Sequence, residues 1–249
     1  MSNTIKFSSD RKPLMVAHRG LSALEKENTH AAFIAAGNRS YWGIETDIHH
    51  TADGKYVCIH DASTARVGID DINVELCTYD TVRSLLLCEK SGEKGRTDIR
   101  IPSFEEYVRI CKHYDKVCVL ELKGVFEKEH LQDVLDILAK EEWQDHTVII
   151  AFGLENLIRL REIAPDQTAQ YLTSGKNFAE DPTAIDRMYE ILNTYNLDLD
   201  IYHKALTPEI SARVHADGHV VNVWTVDTTE DASAAVACGI EYMTSNILE

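Results

Sequence analysis

Val117-Cys118-Val119-Leu120-Glu121-Leu122 is the stretch of the sequence that decides the fold. It is a short apolar run of strand length, and a second run follows at 148–151. Between the two, four apolar residues recur at the spacing of one helix face: Leu131, Val134, Leu135 and Leu138. A strand, a helix and another strand in this order are typical of a βα repeat with a parallel sheet.

The same alternation continues on both sides of this unit. Eight candidate strands lie near residues 14–17, 43–48, 117–122, 148–151, 169–172, 198–201, 220–224 and 241–244. Helical patterns fall between them at residues 29–36, 103–114, 129–143, 154–163, 184–192, 208–216 and 230–237. This alternation predicts an α/β fold, a (β/α)8 TIM barrel, with catalytic groups at the C-terminal ends of the strands. The periodicity alone leaves an open doubly wound sheet as the alternative.

The length of 249 residues fits one TIM-barrel domain over residues 1–249. Residues 61–100 interrupt the alternation, because they are rich in Asp, Thr, Gly and charge and have weak periodicity. We interpret 61–100 as a small insertion at the catalytic rim, after the second strand and its hairpin.

The chain is acidic, with 25 basic and 41 acidic residues and a formal charge of −16. Such a charge repels nucleic acid and anionic membrane surfaces. We see neither an apolar run of about 20 residues, as a membrane helix needs, nor a secretory signal. We therefore expect a cytoplasmic protein that acts on a small molecule, although a secreted chain trimmed of its signal would look the same. The six cysteines form no C-x-x-C pair, which argues against a zinc site or a disulfide framework. The oligomeric state is not decided by the sequence, and a homo-oligomer is compatible with it.

Charged residues two positions apart mark two of the strands. Glu45 and Asp47 share one side of the second strand, and Glu121 and Lys123 repeat the spacing on the third. We predict that Glu45, Asp47 and Glu121 hold Mg²⁺ or Ca²⁺, and that Lys123 neutralises a phosphate oxygen. The alternatives are a solvent-facing acidic pair on the second strand and an exposed ion pair on the third.

Two histidines fall at predicted catalytic ends. His18 ends the first strand, and His60 follows a hairpin strand that returns from the Asp53-Gly54 turn. A phosphodiester needs a base for the attacking oxygen and an acid for the leaving group, and a histidine pair can supply both. A lone histidine is more often structural, but the nearby carboxylates favour a catalytic pair.

Two further residues are candidates for substrate binding. Arg19 could bind a phosphate oxygen or pair with Glu27. Trp224 could form an apolar wall for the carbon atoms of a substrate or pack the barrel.

The spacing of these motifs resembles that of the glycerophosphodiester phosphodiesterase family, from about residue 14 onward. The matching segments are His18-Arg19-Gly20, Glu27-Asn28-Thr29, Glu45-Thr46-Asp47, Thr51-Ala52-Asp53-Gly54, His60-Asp61, Glu121-Leu122-Lys123, Ala151-Phe152-Gly153 and Trp224-Thr225-Val226. The resemblance implies a (β/α)8 barrel that hydrolyses glycerophosphodiesters to an alcohol and sn-glycerol 3-phosphate. It also implies His18 and His60 as the catalytic pair and a divalent metal at Glu45, Asp47 and Glu121.

The sequence departs from the family pattern at several positions. Lys26 stands where proline is usual, His50 replaces an apolar residue, and Asn246 stands where an aspartate is common. After His60-Asp61, the usual arginine-threonine run is replaced by Ala62-Ser63-Thr64-Ala65-Arg66. None of these departures removes a predicted catalytic or metal-binding residue. They therefore bear on which head group the protein prefers and not on the reaction.

Two rival functions remain. A phospholipase-D-like or lysophospholipid-cleaving enzyme would need an apolar groove at the mouth, for which 61–100 offers only Leu85-Leu86-Leu87. A non-catalytic barrel that binds phosphodiesters would have no need of an acid–base pair.

Overall fold

The computed structural model describes residues 3–89, 98–181 and 183–249. Its strands are β1 Leu14–Ala17, β2 Gly43–His50, β3 Tyr56–Cys58, β4 Val117–Leu122, β5 Thr147–Ala151, β6 Ala169–Thr173, β7 Asp198–Tyr202, β8 Val221–Trp224 and β9 Tyr242–Ser245.

Eight of these strands form a closed barrel. They pair in parallel in the order β1, β9, β8, β7, β6, β5, β4, β2, and β2 pairs again with β1. Because both ends of the sheet meet, the prediction of a (β/α)8 barrel is confirmed and the open sheet is wrong.

β3 lies outside the barrel as an antiparallel partner of β2, with Ile48 opposite Cys58. The predicted turn between them is present, and Gly54 has a φ of +70°, a conformation that favours glycine. The hairpin returns the chain to the C-terminal end of β2.

The helices are α1 His30–Gly37, α2 Tyr79–Ser84, α3 Phe104–His113, α4 Lys128–Lys140, α5 Leu154–Ile163, α6 Thr183–Tyr195, α7 Pro208–Ala216 and α8 Thr229–Ala237. Seven of them match the predicted segments. α2 was not predicted, because it is a short helix in the weakly periodic stretch 61–100. None of the helices in the described ranges is long and apolar enough to cross a membrane.

Alternation along the strands separates two apolar clusters. On β5, Ile149 and Ala151 belong to the large core between sheet and helices. Val148 and Ile150 belong to a second cluster with Val16, Val119 and Leu172. Since successive side chains of a strand point to opposite faces, this second cluster fills the inside of the barrel below its mouth.

The stretch 61–100 has a small core of its own. Its buried residues pack against the β3 hairpin: Val67, Val74, Val82, Leu87 and Ile99. Leu87 is thus an interior residue and does not form part of an apolar groove. Residues 90–97 of the predicted insertion lie outside the described residues, and the assignment of 1–249 to one domain stays a prediction.

Candidate active site

The turn after β1 brings His18 and Arg19 to the barrel mouth. Arg19 and Gly20 have positive φ values of 55° and 73°. A Cβ on Gly20 would lie 2.6 Å from the backbone carbonyl carbon of Ala32, so this close approach to α1 requires glycine. The backbone N–H of Arg19 donates to Glu45 Oε2 at 2.7 Å. The His-Arg-Gly segment therefore joins the end of β1 to the carboxylates of β2.

Glu45, Asp47 and Glu121 form one buried cluster. Asp47 is opposite Glu121 in the pairing of β2 with β4, and one carboxylate oxygen from each of the three lies within 4.8 Å of the others. In the described part of the chain, the buried atoms Glu45 Oε1 and Asp47 Oδ1 have no hydrogen-bond partner. Buried carboxylate oxygens without donors are costly unless a cation binds them, and oxygen is the ligand that Mg²⁺ and Ca²⁺ take. The donor set fits a divalent cation.

Two basic side chains already face this cluster. Lys123 Nζ lies 2.8 Å from Glu121 Oε1 and 3.5 Å from Asp47 Oδ1, and Arg19 Nε lies 3.5 Å from Asp47 Oδ2. Burial would raise the pKa of Asp47, but the charges of Arg19 and Lys123 lower it to about 2. Burial and the charge of Asp47 raise the pKa of Glu45 well above its usual value and that of Glu121 to about 7. Three carboxylates this close together therefore do not all keep an ordinary pKa beside two basic side chains, and a bound cation would favour their ionised forms.

One ring nitrogen of His18 is hydrogen-bonded to a series of two polar side chains from the loops after β9 and β8. Its Nδ1 lies 2.8 Å from Asn246 Oδ1, and Asn246 Nδ2 donates to Asp227 Oδ2 at 2.7 Å. Its Nε2 lies 4.0 Å from Glu45 Oε2. Burial and the charge of Arg19 lower the pKa of His18 to about 4, which leaves the ring neutral at neutral pH.

His60 is fixed from two sides. Its Nδ1 lies 2.6 Å from Asp61 Oδ1. Its backbone carbonyl lies 3.1 Å from Nε2 of His49, whose Nδ1 is 2.8 Å from Glu75 Oε1. Burial lowers the pKa of His60. His49, which is buried, thus supports the loop that carries His60.

Arg66 links the predicted insertion to both catalytic segments. Its Nη1 and Nη2 donate to the two oxygens of Glu27 at 2.6 and 2.9 Å, and its Nε donates to Asp61 Oδ2 at 2.5 Å. Glu27 also accepts from Arg19 Nη1 at 2.9 Å. The Arg19–Glu27 pair that the sequence left open is therefore present, while Arg19 also faces the carboxylates.

These side chains surround a pocket with a volume of about 460 Å³, its open mouth included. It is lined by His18, Arg19, Glu45, His60, Glu121, Ile150, Phe152, Leu172, Asp200, Trp224, Thr225 and Thr244. Phe152 and Trp224 meet edge to face, with ring centroids 5.5 Å apart.

The structure brings all eight predicted site residues together. Six line the pocket, and Asp47 and Lys123 contact the same carboxylates. The side chains that support them were not predicted, namely Asn246, Asp227, His49 and Arg66, and neither was the pocket residue Asp200. Asp200 alternates with apolar residues on its strand. The same two-residue spacing of charged side chains that singled out Glu45 and Asp47 could have indicated it.

Fold and site together define a (β/α)8 barrel with buried carboxylates, two histidines and two cations around a small pocket at the C-terminal ends of its strands. Comparison with known proteins agrees with this class. The sequence pattern of the glycerophosphoryl diester phosphodiesterase family matches residues 18–246, and the chain belongs to this family. The predicted resemblance and the predicted enzyme class, a phosphoric diester hydrolase of the glycerophosphodiester phosphodiesterase type, are thereby confirmed.

Individual relatives cover most of the chain. A glycerophosphodiester phosphodiesterase of Caldanaerobacter subterraneus subsp. tengcongensis is 27% identical over 92% of this chain and 92% of its own. An uncharacterised protein of Mycoplasma genitalium is 44% identical over 87% of this chain and 88% of its own.

A solved structure has the same fold. An Oleispira antarctica phosphodiesterase in complex with the product sn-glycerol-3-phosphate has a TM-score of 0.85 and 22% identity, and the match covers 94% of this chain and 93% of that protein.

Proposed function

We propose that this protein hydrolyses glycerophosphodiesters to an alcohol and sn-glycerol 3-phosphate with the help of a divalent cation. The observation that carries the proposal is a cluster of three buried carboxylates, two with an oxygen that lacks a donor, beside two histidines in one pocket. Family membership supports the reaction, and the product in the complex of the similar Oleispira enzyme supports the glycerol phosphate moiety.

In this proposal Glu45, Asp47 and Glu121 hold Mg²⁺ or Ca²⁺. A bound cation of this kind supplies positive charge that makes a phosphate easier to attack. Arg19 and Lys123 neutralise the remaining charge of the non-bridging oxygens. Because both basic side chains are tied to carboxylates, they are held in place before substrate binds.

His18 and His60 exchange the protons. One takes the proton of the attacking oxygen, the neighbouring glycerol hydroxyl, as that oxygen bonds to phosphorus. The other protonates the alcohol oxygen as its bond to phosphorus breaks. Water then opens the cyclic phosphate. Asn246 and Asp61 occupy the Nδ1 side of the two rings, which leaves Nε2 as the atom that exchanges protons.

The experiment is a release assay for glycerol 3-phosphate from glycerophosphocholine, with and without a chelator. We expect chelator to abolish release by the wild type, and His18→Ala and His60→Ala each to lower kcat by at least about 100-fold. His113→Ala, at an exposed histidine of α3, is the matched control. Full activity in either histidine variant would contradict the assignment, and ligand binding without any turnover would favour a non-catalytic barrel.

A second candidate is cleavage of lysophospholipids by the same site. One observation favours it: Phe152 lines the pocket and is 45% exposed, so an acyl chain could lie against it. Comparing the turnover of a lysophospholipid with that of glycerophosphocholine decides between them, and Phe152→Ala should lower only the former.

A further inference from the structure

The pocket floor has two chemically different halves. Each barrel strand, or the loop that follows it, contributes at least one side chain to the lining of the pocket. On the side of β1, β2 and β4 these are catalytic or metal-binding candidates. On the opposite side, β5 to β8 contribute Ile150, Leu172, Asp200 and Trp224. Asp200 is the charged side chain among these four, and the proposed reaction does not use it.

One carboxyl oxygen of Asp200 is buried and has no hydrogen-bond partner among the described residues. This atom is Oδ1, and the residue as a whole is 1% exposed. The polar side chains near it on neighbouring strands are engaged with one another, since Asn222 Nδ2 donates to Gln170 Oε1 at 3.1 Å and Thr244 Oγ1 donates to Asn222 Oδ1 at 3.4 Å. A buried polar atom without a hydrogen bond costs stability. A ligand that completes the hydrogen bond would explain why the group is there.

The surroundings restrict that ligand. Burial and the charge of Glu121 raise the pKa of Asp200 well above its usual value. A carboxyl oxygen accepts a hydrogen bond from a hydroxyl, so an alcohol is a ligand that can complete the missing contact. The apolar neighbours Ile150 and Leu172, 4% exposed each, suit the carbon atoms that carry such a hydroxyl.

We propose that Asp200 hydrogen-bonds the glycerol hydroxyl that does not react, and so selects substrates whose phosphate carries a polyol. The inference rests on the proposed function, because it assumes that the phosphate lies at the carboxylates and histidines. The glycerol end then points across the pocket towards β7, with Trp224 beside its carbon chain. Asp200 is a substrate-binding residue in this arrangement and takes no proton in the reaction.

The test compares two ligands that differ by this one hydroxyl. Inhibition constants are measured for sn-glycerol 3-phosphate and for the propane-1,2-diol phosphate that lacks its terminal hydroxyl. The wild type should bind the former at least about tenfold more tightly. Asp200→Leu and Asp200→Ala should bring the ratio close to one, and Asp200→Asn, which can still hydrogen-bond a hydroxyl, should retain most of it.

Asp198→Asn, the same substitution on the same strand, is the control and should keep the wild-type ratio. Thermal melting of each variant checks folding, and Asp200→Leu should melt no lower than the wild type because it removes a buried carboxyl oxygen that has no hydrogen-bond partner among the described residues. If Asp200→Leu does not fold, Asp200→Ala answers the question.

The inference is overturned if the wild type releases glycerol 3-phosphate but its ratio is unchanged in Asp200→Ala. It is also overturned if that variant changes only the preference between a cationic and a neutral head group. If the wild type releases no glycerol 3-phosphate in the assay above, the proposed function itself fails, which is a different result.

Discussion

Asn246 determines which nitrogen of His18 carries the proton. Asn246 Nδ2 donates to Asp227 Oδ2 at 2.7 Å, so its Oδ1, 2.8 Å from His18 Nδ1, is an acceptor. His18 Nδ1 must therefore be the donor, which leaves the lone pair of the neutral ring on Nε2. Nε2 is the nitrogen on the side of Glu45, at 4.0 Å from Oε2, so the ring presents a proton acceptor to the pocket.

Asn246→Ala removes this orientation without touching substrate. We expect kcat to fall about 10- to 100-fold, with little change in KM. Losses of this size follow when the hydrogen-bond partner of a metal-binding histidine is removed. Steady-state kinetics on glycerophosphocholine measure both constants. Asn38→Ala, at an exposed asparagine that caps α1, is the control. An unchanged kcat in Asn246→Ala would show that the ring keeps its orientation without Asn246.

The carboxylate cluster should make stability depend on a cation. When no cation is bound, the carboxylates of Glu45, Asp47 and Glu121 repel one another. Mg²⁺ or Ca²⁺ at 100 times its dissociation constant should therefore raise the free energy of unfolding by about 2.7 kcal/mol. For a chain of this size that corresponds to a rise in Tm of roughly 5 to 10 °C. Melting curves of chelated protein with and without added cation measure it.

The matched pair of variants for this prediction is Glu121→Gln and Glu142→Gln. Glu142 has an 86% exposed side chain and lies outside the cluster, so its variant should keep the full cation-dependent rise. Glu121→Gln should lose most of it. Equal rises in both variants would place the cation elsewhere.

Much of the site follows from local sequence, because strand ends and the period of two place His18, Glu45, Asp47 and Glu121 without knowledge of the tertiary structure. The supporting contacts do not follow. His18 and Asn246 are 228 positions apart, and Glu27 and Arg66 are 39 apart. Only barrel closure and the path of the 61–100 stretch bring these pairs together. That stretch lacks a clear period, so neither α2 nor the position of Arg66 could be read from it.

Arg66 should matter to activity more than to stability. It joins Glu27 to Asp61, and Asp61 orients His60. Its side chain is 45% exposed, and ion pairs at such positions contribute about 0.2 to 1 kcal/mol. We expect Arg66→Gln to lower kcat about tenfold and to change the free energy of unfolding by less than about 1 kcal/mol.

Arg109→Gln is the comparison for Arg66→Gln, since Arg109 is a 57% exposed arginine with an ion pair on α3. It should change neither kcat nor KM. A kcat for Arg66→Gln equal to that of Arg109→Gln would mean that Asp61 holds His60 unaided.

The side chain of Glu249 should make stability fall at acid pH. It is buried, and it accepts hydrogen bonds from Ser40 N at 2.8 Å and from Thr4 Oγ1 at 2.5 Å, with Lys6 Nζ at 2.6 Å. Although burial opposes them, these contacts lower its pKa from 4.5 to about 2. A folded-state pKa below the unfolded value stabilises the fold above 4.5, and this contribution is lost as the pH falls from 4.5 to about 2. Glu249→Gln should therefore have a lower Tm than the wild type at neutral pH, and the difference in Tm should disappear near pH 2.

Glu180→Gln, at an exposed glutamate, is the control and should have the Tm of the wild type at every pH. If the difference for Glu249→Gln stayed constant with pH, the charge of Glu249 would not be what stabilises this contact.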